Sequence, residues 1–365
     1  MGKIIFESCR LDEEIIKEVI KSGQAKKNCI YGCGDIGLLL KDFLQENSIK
    51  TDFFLIDDEY YISPFCQELP VLKLSEIKKK KEEMNIFIGF ANVSKALDKL
   101  SEINKQHKIY CIANPCGYLK KYDINAEYYH MHLAEFEKSF KLLEDDLSRD
   151  IFVAYLNTRI NLNYKYMLPF GGCRTYFGNE LFELSNDEIY VDCGAFDGDS
   201  VKAFINSVKN SYKKIYAIEP DKINFKKIEQ FIRKEQLTNI ELINKGVWKC
   251  KDKLGFSETG NQENTMVQGK SANFLEVDSL NNILKDKDVT IIKMSVQGCE
   301  EEALLGADKI LKDKAPNLAV TIFMKPDALI KLPCIIKKIN PQYKIYLRCE
   351  EAFFARVILY AKVDK

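Results

Sequence analysis

Twice in its 365 residues the chain runs an apolar strand into a glycine-bearing turn that opens a helix, first in "CIYGCGDIGLLL" and again in "IYVDCGAFDGDS" (Ile189–Ser200). This repeated arrangement constrains the fold most, because such a strand, turn and helix open a βαβ unit whose ligands lie at the carboxyl ends of parallel strands. Around the first motif the pattern predicts strands at Cys29–Tyr31, Thr51–Ile56, Asn85–Gly89 and Lys108–Ile112, with helices at Asp35–Glu46, Leu74–Glu83 and Val93–Asn104. Around the second it predicts strands at Glu188–Asp192, Lys214–Glu219, Asn239–Asn244, Val289–Ser295 and Asn317–Phe323. After a helix near Leu329–Ile339, the strands Tyr343–Arg348 and Phe353–Ala361 lie too close for a parallel crossover and are expected as an antiparallel hairpin.

Between Tyr122 and Leu184 the strand pattern is absent, and Leu133, Phe136, Phe140 and Leu143 fall at helical spacing. The expectation is an α/β chain of two Rossmann-like, doubly wound domains. Residues 1–120 form the first, 121–184 a helical bridge whose apolar face packs against a neighbour, and 185–365 the second.

Composition narrows the partners. Lys plus Arg (54) balances Asp plus Glu (54), and the pI is about 6.8, so no overall field draws the chain to nucleic acid or anionic lipid. The run Lys78–Lys81, followed by two glutamates, reads as a solvated helix face. No stretch approaches about 18 apolar residues, and the opening "MGKIIFESCR" is too short for a signal peptide, which predicts a cytoplasmic protein without membrane insertion. Twelve cysteines without a CxxC pair and only His107, His130 and His132 suggest neither a zinc site nor a disulfide scaffold, so reduced thiols are expected. Oligomeric state is left open.

In the first motif Gly32, Gly34 and Gly37 have the GxGxxG spacing, and Asp57 follows Gly37 by twenty positions at the end of the second strand. Glycines there let backbone approach a pyrophosphate while the acid holds a ribose diol, which points to a nucleotide or nucleotide-sugar. An NAD(P)-dependent oxidoreductase and a domain without ligand are the alternatives; no acid or base suited to hydride transfer lies beside the motif. The later "LPVL" and its helix resemble the small Rossmann-like domains attached to sugar-modifying transferases.

The second motif places Asp192, Gly194 and Gly198 in the order acid, x, Gly, x, x, x, Gly, and Glu219 follows Gly198 by twenty-one positions at the end of the next strand. Gly194 and Gly198 let the loop wrap a ligand while Glu219 accepts hydrogen bonds from two ribose hydroxyls. From about Thr175 to Ala361, roughly half the chain, the sequence resembles the FkbM family of S-adenosylmethionine-dependent methyltransferases. The resemblance is carried by "VDCGAFDGDS", "IYAIEPD", "FLEVDSL", "KMSVQGCEEEALLGA", "APNLAV" and "YKIYLR". It implies a seven-stranded methyltransferase fold ending in a hairpin, and O-methylation of a sugar hydroxyl in a glycan or nucleotide-linked sugar, as in polysaccharide biosynthesis. It also implies that Asp192, Gly194, Ala195, Phe196, Asp197, Gly198, Asp199 and Ser200 line the cofactor loop. Glu219 would then hold the ribose, and Asp221, Asn224, Lys245 and Gly246 would border the adenine.

The chain departs from that family at the fourth strand. Where the pattern is Lys, x, Asp, x, Glu, Gly, x, Glu, it reads Lys293, Met294, Ser295, Val296, Gln297, Gly298, Cys299, Glu300. Phe323-Met324 and Arg348-Cys349 likewise replace Tyr-His and Arg-His. Ser295 and Gln297 can neither take a proton nor hold a hard cation well, so no metal is expected. Three readings remain. A base comes from Asp197, Glu300 or His130; or the acceptor needs none, and Ser295 and Gln297 orient it; or the domain is catalytically degenerate and serves as a scaffold or partner.

Overall fold

The structure, a computed structural model, describes residues 18, 20–22, 26–78, 82–90, 93–103, 105–112, 126–161, 163–170, 176–256, 266–267, 273–322, 325–349 and 357–364. The chain is α/β and divides into two compact units, each with a parallel-dominated sheet. The described residues of Met1–Leu133 and Ile151–Gly172 belong to one, and those of Ala134–Asp150, Cys173–Glu350 and Val357–Lys365 to the other. Residues 121–184, expected as a bridge, are thus shared between the units, with helices at Ala126–Met131, Leu133–Phe140 and Asp146–Asn161.

The first unit is built on strands β1 (Lys27–Tyr31), β2 (Phe53–Ile56), β3 (Phe65–Cys66), β4 (Leu69–Lys73), β5 (Met84–Ile88) and β6 (Lys108–Tyr110), in the order β3-β4-β2-β1-β5-β6. All pair in parallel except β3 with β4. Parallel strands covered on both faces read as unbroken apolar runs, and "FFLI" and "MNIFI" are buried throughout. The polar interruptions in β1 and β5 meet: Asn28 and Asn85 are register partners, and the Asn85 amide donates to the Asn28 side-chain oxygen at 2.8 Å. The β3–β4 hairpin has no counterpart in the sequence reading, since its strands are too short to show a period.

The second unit holds β7 (Ile189–Cys193), β8 (Lys214–Ile218), β9 (Ile240–Ile243), β14 (Ile291–Met294), β15 (Asn317–Thr321), β16 (Lys344–Cys349) and β17 (Val357–Lys362). The order is β16-β17-β15-β14-β7-β8-β9, five parallel strands completed by the expected antiparallel hairpin, with β17 inserted between β15 and β16. The helices Asp199–Ser207 and Lys222–Lys234 follow β7 and β8. Aromatic packing fills the core, with Tyr190 and Phe204 stacked at 4.5 Å and Phe177 edge-on to each at 5.2 Å. A smaller sheet of β10 (Gly246–Val247), β11 (Asp252–Phe256), β12 (Met266–Val267) and β13 (Asn273–Asp278) was not foreseen.

In the first unit the structure requires glycine at two of the three motif positions. Gly32 has φ +113°, which side chains avoid. A Cβ on Gly37 would sit 2.0 Å from the Gly32 carbonyl oxygen, whereas one on Gly34 meets nothing within 4 Å. Gly37→Ala is therefore expected to cost about 1–3 kcal/mol or more, the range for overpacking. Gly34→Ala should change stability by no more than about 0.5 kcal/mol. Urea unfolding of the two variants beside wild type checks the contrast.

Candidate functional site

The carboxyl ends of β7, β8 and β14 lie side by side, so the residues following each strand share one edge of the sheet. After β7 the chain turns through Gly194 (φ +78°), Phe196 (φ +51°) and Gly198 (φ +92°) into the helix Asp199–Ser207. A Cβ on Gly194 would lie 2.2 Å from the Ser295 carbonyl oxygen, so this loop and the segment after β14 touch backbone to backbone. Gln297 (φ +53°) and Gly298 (φ +90°) complete a second left-handed turn there.

Beneath this edge lies a buried ion pair. Asp192 and Lys293 are register partners in β7 and β14, and the Lys293 ammonium donates to Asp192 Oδ1 at 2.8 Å and to the Gly194 carbonyl at 2.8 Å. The Ser200 hydroxyl donates to Asp192 Oδ2 at 2.6 Å. Burial works against the lysine's charge, but Asp192 outweighs it and leaves the Lys293 pKa above the ordinary value. Asp192 therefore ties the loop to both its flanking elements, and Lys293, outside the predicted site residues, has the same part.

Glu219 follows β8 and is 5% exposed. Its Oε2 accepts the Phe196 N–H at 2.8 Å and its Oε1 the Asp221 N–H at 2.9 Å. Burial raises its pKa to about 7, against the lowering effect of those two amides. Each oxygen keeps a second lone pair. The Asn244 side chain, which the sequence reading did not single out, donates to the Glu219 and Pro220 carbonyls at 2.9 and 3.0 Å and anchors this turn from β9. Its signal is its place one residue after a parallel strand.

The remaining predicted residues separate by role. Asp221 caps the helix Lys222–Lys234, accepting from Ile223 N and Asn224 N. Ala195 is buried, while Asp197 and Asp199 are exposed and accept from the loop amides of Asp199 and Ser200. Lys245 lies 3.6 Å from Asp278 and lines a cavity of about 370 Å³ with Lys251, Asp252, Lys253, Glu276 and Val277; Gly246 is buried in β10. Ser295 and Gln297 are partly exposed at the strand edge. Glu300 is turned away: it is buried, it accepts the Val296 N–H at 3.0 Å and the Thr321 hydroxyl at 3.3 Å, and burial raises its pKa. Arg348 is paired with Asp145 and Glu180. Phe323-Met324 lies outside the described residues.

The comparisons with known proteins bear on this unit. Residues 192–341 match the family model described as "Methyltransferase FkbM domain". The second unit thus carries a methyltransferase FkbM domain. The crystal structure of methyltransferase FkbM from Methylobacillus flagellatus is 20% identical, with a TM-score of 0.72 over 95% of this chain and 92% of that one, a likeness of fold. Partial likenesses include an rRNA methylase from Streptococcus thermophilus, with TM-score 0.32, 17% identity and 50% and 90% of the two chains covered. Fibrillarin from Aeropyrum pernix with natively bound S-adenosyl-L-methionine has TM-score 0.31, 12% identity and coverage of 50% and 70%. No curated protein matches. Among the described residues no helix is long and apolar enough to cross a membrane.

In the first unit the glycine turn and Asp57 are both present, but the acid is engaged. Tyr31 donates its hydroxyl to Asp57 Oδ1, and Lys99 donates to Oδ2 while lying 3.6 Å from Glu59. Burial, then Asp57, raises the Tyr31 pKa, so the phenol stays protonated as a donor.

Removing one partner of the FkbM domain's buried ion pair strands the other in a dry site. Lys293→Met is expected to destabilise the second unit by about 3–5 kcal/mol, and adding Asp192→Asn to restore part of that loss. Denaturant unfolding of the single and double variants measures both.

Proposed function

We propose that the chain is an S-adenosylmethionine-dependent methyltransferase that O-methylates a sugar hydroxyl of a glycan or nucleotide-linked sugar. The observation that carries the cofactor is Glu219, whose two oxygens are held apart by one backbone N–H each and retain lone pairs suited to a ribose diol. The Gly194–Gly198 loop fits the group as well, since its left-handed turns and the close approach of Gly194 to Ser295 leave no room for a side chain at Gly194. When bound, the cofactor's sulfonium supplies the methyl group for in-line displacement. Glu219 and the loop would hold it, with Lys245 and Gly246 toward its base.

The chain's own work is then mostly positioning, an effect that can supply roughly 7–11 kcal/mol. Ser295 and Gln297 would orient the acceptor by hydrogen bonds. Of the base candidates, Glu300 is sequestered by Val296 and Thr321, whereas Asp197 is exposed and lies on the glycine loop. His130 belongs to the other unit. In that unit Gly34, where a Cβ would meet nothing within 4 Å, would let a pyrophosphate approach and so bind a nucleotide or nucleotide-sugar. The balance of 54 basic and 54 acidic residues fits a small-molecule or glycan acceptor, not a nucleic acid.

Calorimetry with S-adenosylmethionine and S-adenosylhomocysteine tests the cofactor. Glu219 accepts strongly, and through both oxygens, from two ribose hydroxyls only when ionised, and its pKa is raised to about 7. Affinity should therefore fall as pH drops through that value, with Kd rising about tenfold from pH 8 to pH 6. Glu219→Ala should weaken binding and flatten the profile. No saturable binding in the millimolar range, with Glu219→Ala indistinguishable from wild type, would remove the reading. With labelled cofactor and a panel of nucleotide-linked sugars, transfer by wild type supports the enzyme. Transfer appearing only in the Ser295→Asp, Gln297→Glu double variant would show a degenerate site instead.

A further inference from the structure

Cys33 sits inside the first glycine turn, between Gly32 and Gly34, and Cys66 ends the short strand β3. Thirty-three positions apart in sequence, they meet in the fold: the Cys66 thiol donates to the Cys33 carbonyl oxygen at 3.8 Å, and burial, then the neighbouring Cys66, raises the Cys33 pKa. Both are free and only partly buried. The surroundings hold them there. Cys66 pairs with Leu69 across a two-residue hairpin turn in which Gln67 and Glu68 both have positive φ, 44° and 67°, so the tip's course is narrowly set. The Lys41 ammonium, on the helix that the glycine turn opens, donates to Gln67 Oε1 at 2.9 Å and ties that tip to the helix. Gly32, in turn, donates its N–H to the Leu55 carbonyl at 2.8 Å, fixing the other side.

We propose that Cys33 and Cys66 are a reversible disulfide pair that staples the β3–β4 hairpin to the glycine turn of the first unit. This is independent of methyl transfer. With the Cys66 sulfur lying against the Cys33 backbone, little backbone movement is needed to form the bond. With glutathione disulfide as oxidant, one cysteine thiolate displaces a glutathione thiolate to form a mixed disulfide. The second thiolate then displaces the other glutathione, so that two cysteine thiols and one glutathione disulfide become one protein disulfide and two glutathione thiols. Burial raises the Cys33 thiol above its ordinary range, so the exchange should quicken with rising pH. The oxidised chain closes a loop of more than thirty residues and carries a covalent strap beside Gly34, where a ligand's phosphate would approach.

The full chain, reduced and then equilibrated anaerobically with graded ratios of reduced to oxidised glutathione, is quenched with N-ethylmaleimide and analysed by intact mass and peptide mapping. The expected result is a linked peptide pair containing Cys33 and Cys66, with the mass of two hydrogen atoms lost. It should appear with a single midpoint before any other cysteine pair and reverse with dithiothreitol. The oxidised chain should also melt several degrees higher. Cys33→Ser and Cys66→Ala should each abolish the linked pair and leave the remaining thiol to collect glutathione. Both thiols still alkylated at the most oxidising ratio, or disulfides formed among other cysteines with none between these two, would overturn the proposal on the wild-type chain alone.

Discussion

Lys293 and Asp192 face each other across the paired strands β14 and β7, at 3% and 0% exposure. Two opposite charges taken out of water carry a desolvation penalty of several kcal/mol each, so they persist only where further hydrogen bonds complete them. Here those bonds are the ones that shape the crevice: Lys293 also holds the Gly194 carbonyl, and Asp192 also holds Ser200 at the first turn of the following helix. The charge pair thus fixes both ends of the glycine loop, beside the backbone approach of Gly194 to Ser295 that continues the β7–β14 ladder. Glu219 completes the frame from β8 by accepting the Phe196 amide in the middle of the same loop.

The two acids at the ends of second strands, Asp57 and Glu219, show how one sequence pattern leads to different sites. Glu219 is satisfied by backbone amides, which cannot move away and which leave lone pairs to offer. Asp57 is held instead by a tyrosine hydroxyl and a lysine ammonium, side chains that can move and of which one carries a charge. Like spacing therefore gives a carboxylate held by backbone amides in the FkbM domain and one held by side chains in the first unit.

Much of the architecture is legible in the sequence, because parallel strands buried on both faces leave unbroken apolar runs and glycine turns mark where they end. The strands of the second sheet lie within a few residues of their expected places, and the closing hairpin follows from the short gap before β17. The β3–β4 hairpin and the β10–β13 sheet escape, since two-residue strands carry no period. At the site, Gly194, Gly198 and Glu219 can be read from spacing. Lys293 and Asn244 cannot, since their importance lies in partners 101 and 25 positions away. Nor does spacing distinguish Glu300, whose carboxylate folds back onto its own turn, from an acid facing the crevice.

Amide hydrogen exchange of the loop Gly194–Ser200 tests most directly whether the buried pair shapes the crevice. Comparing wild type with Lys293→Met under conditions where both remain folded, the account predicts that protection falls in this loop and at Phe196, while β16 and β17 keep theirs. Unchanged protection of the loop in the variant, with unchanged affinity for S-adenosylhomocysteine, would contradict it.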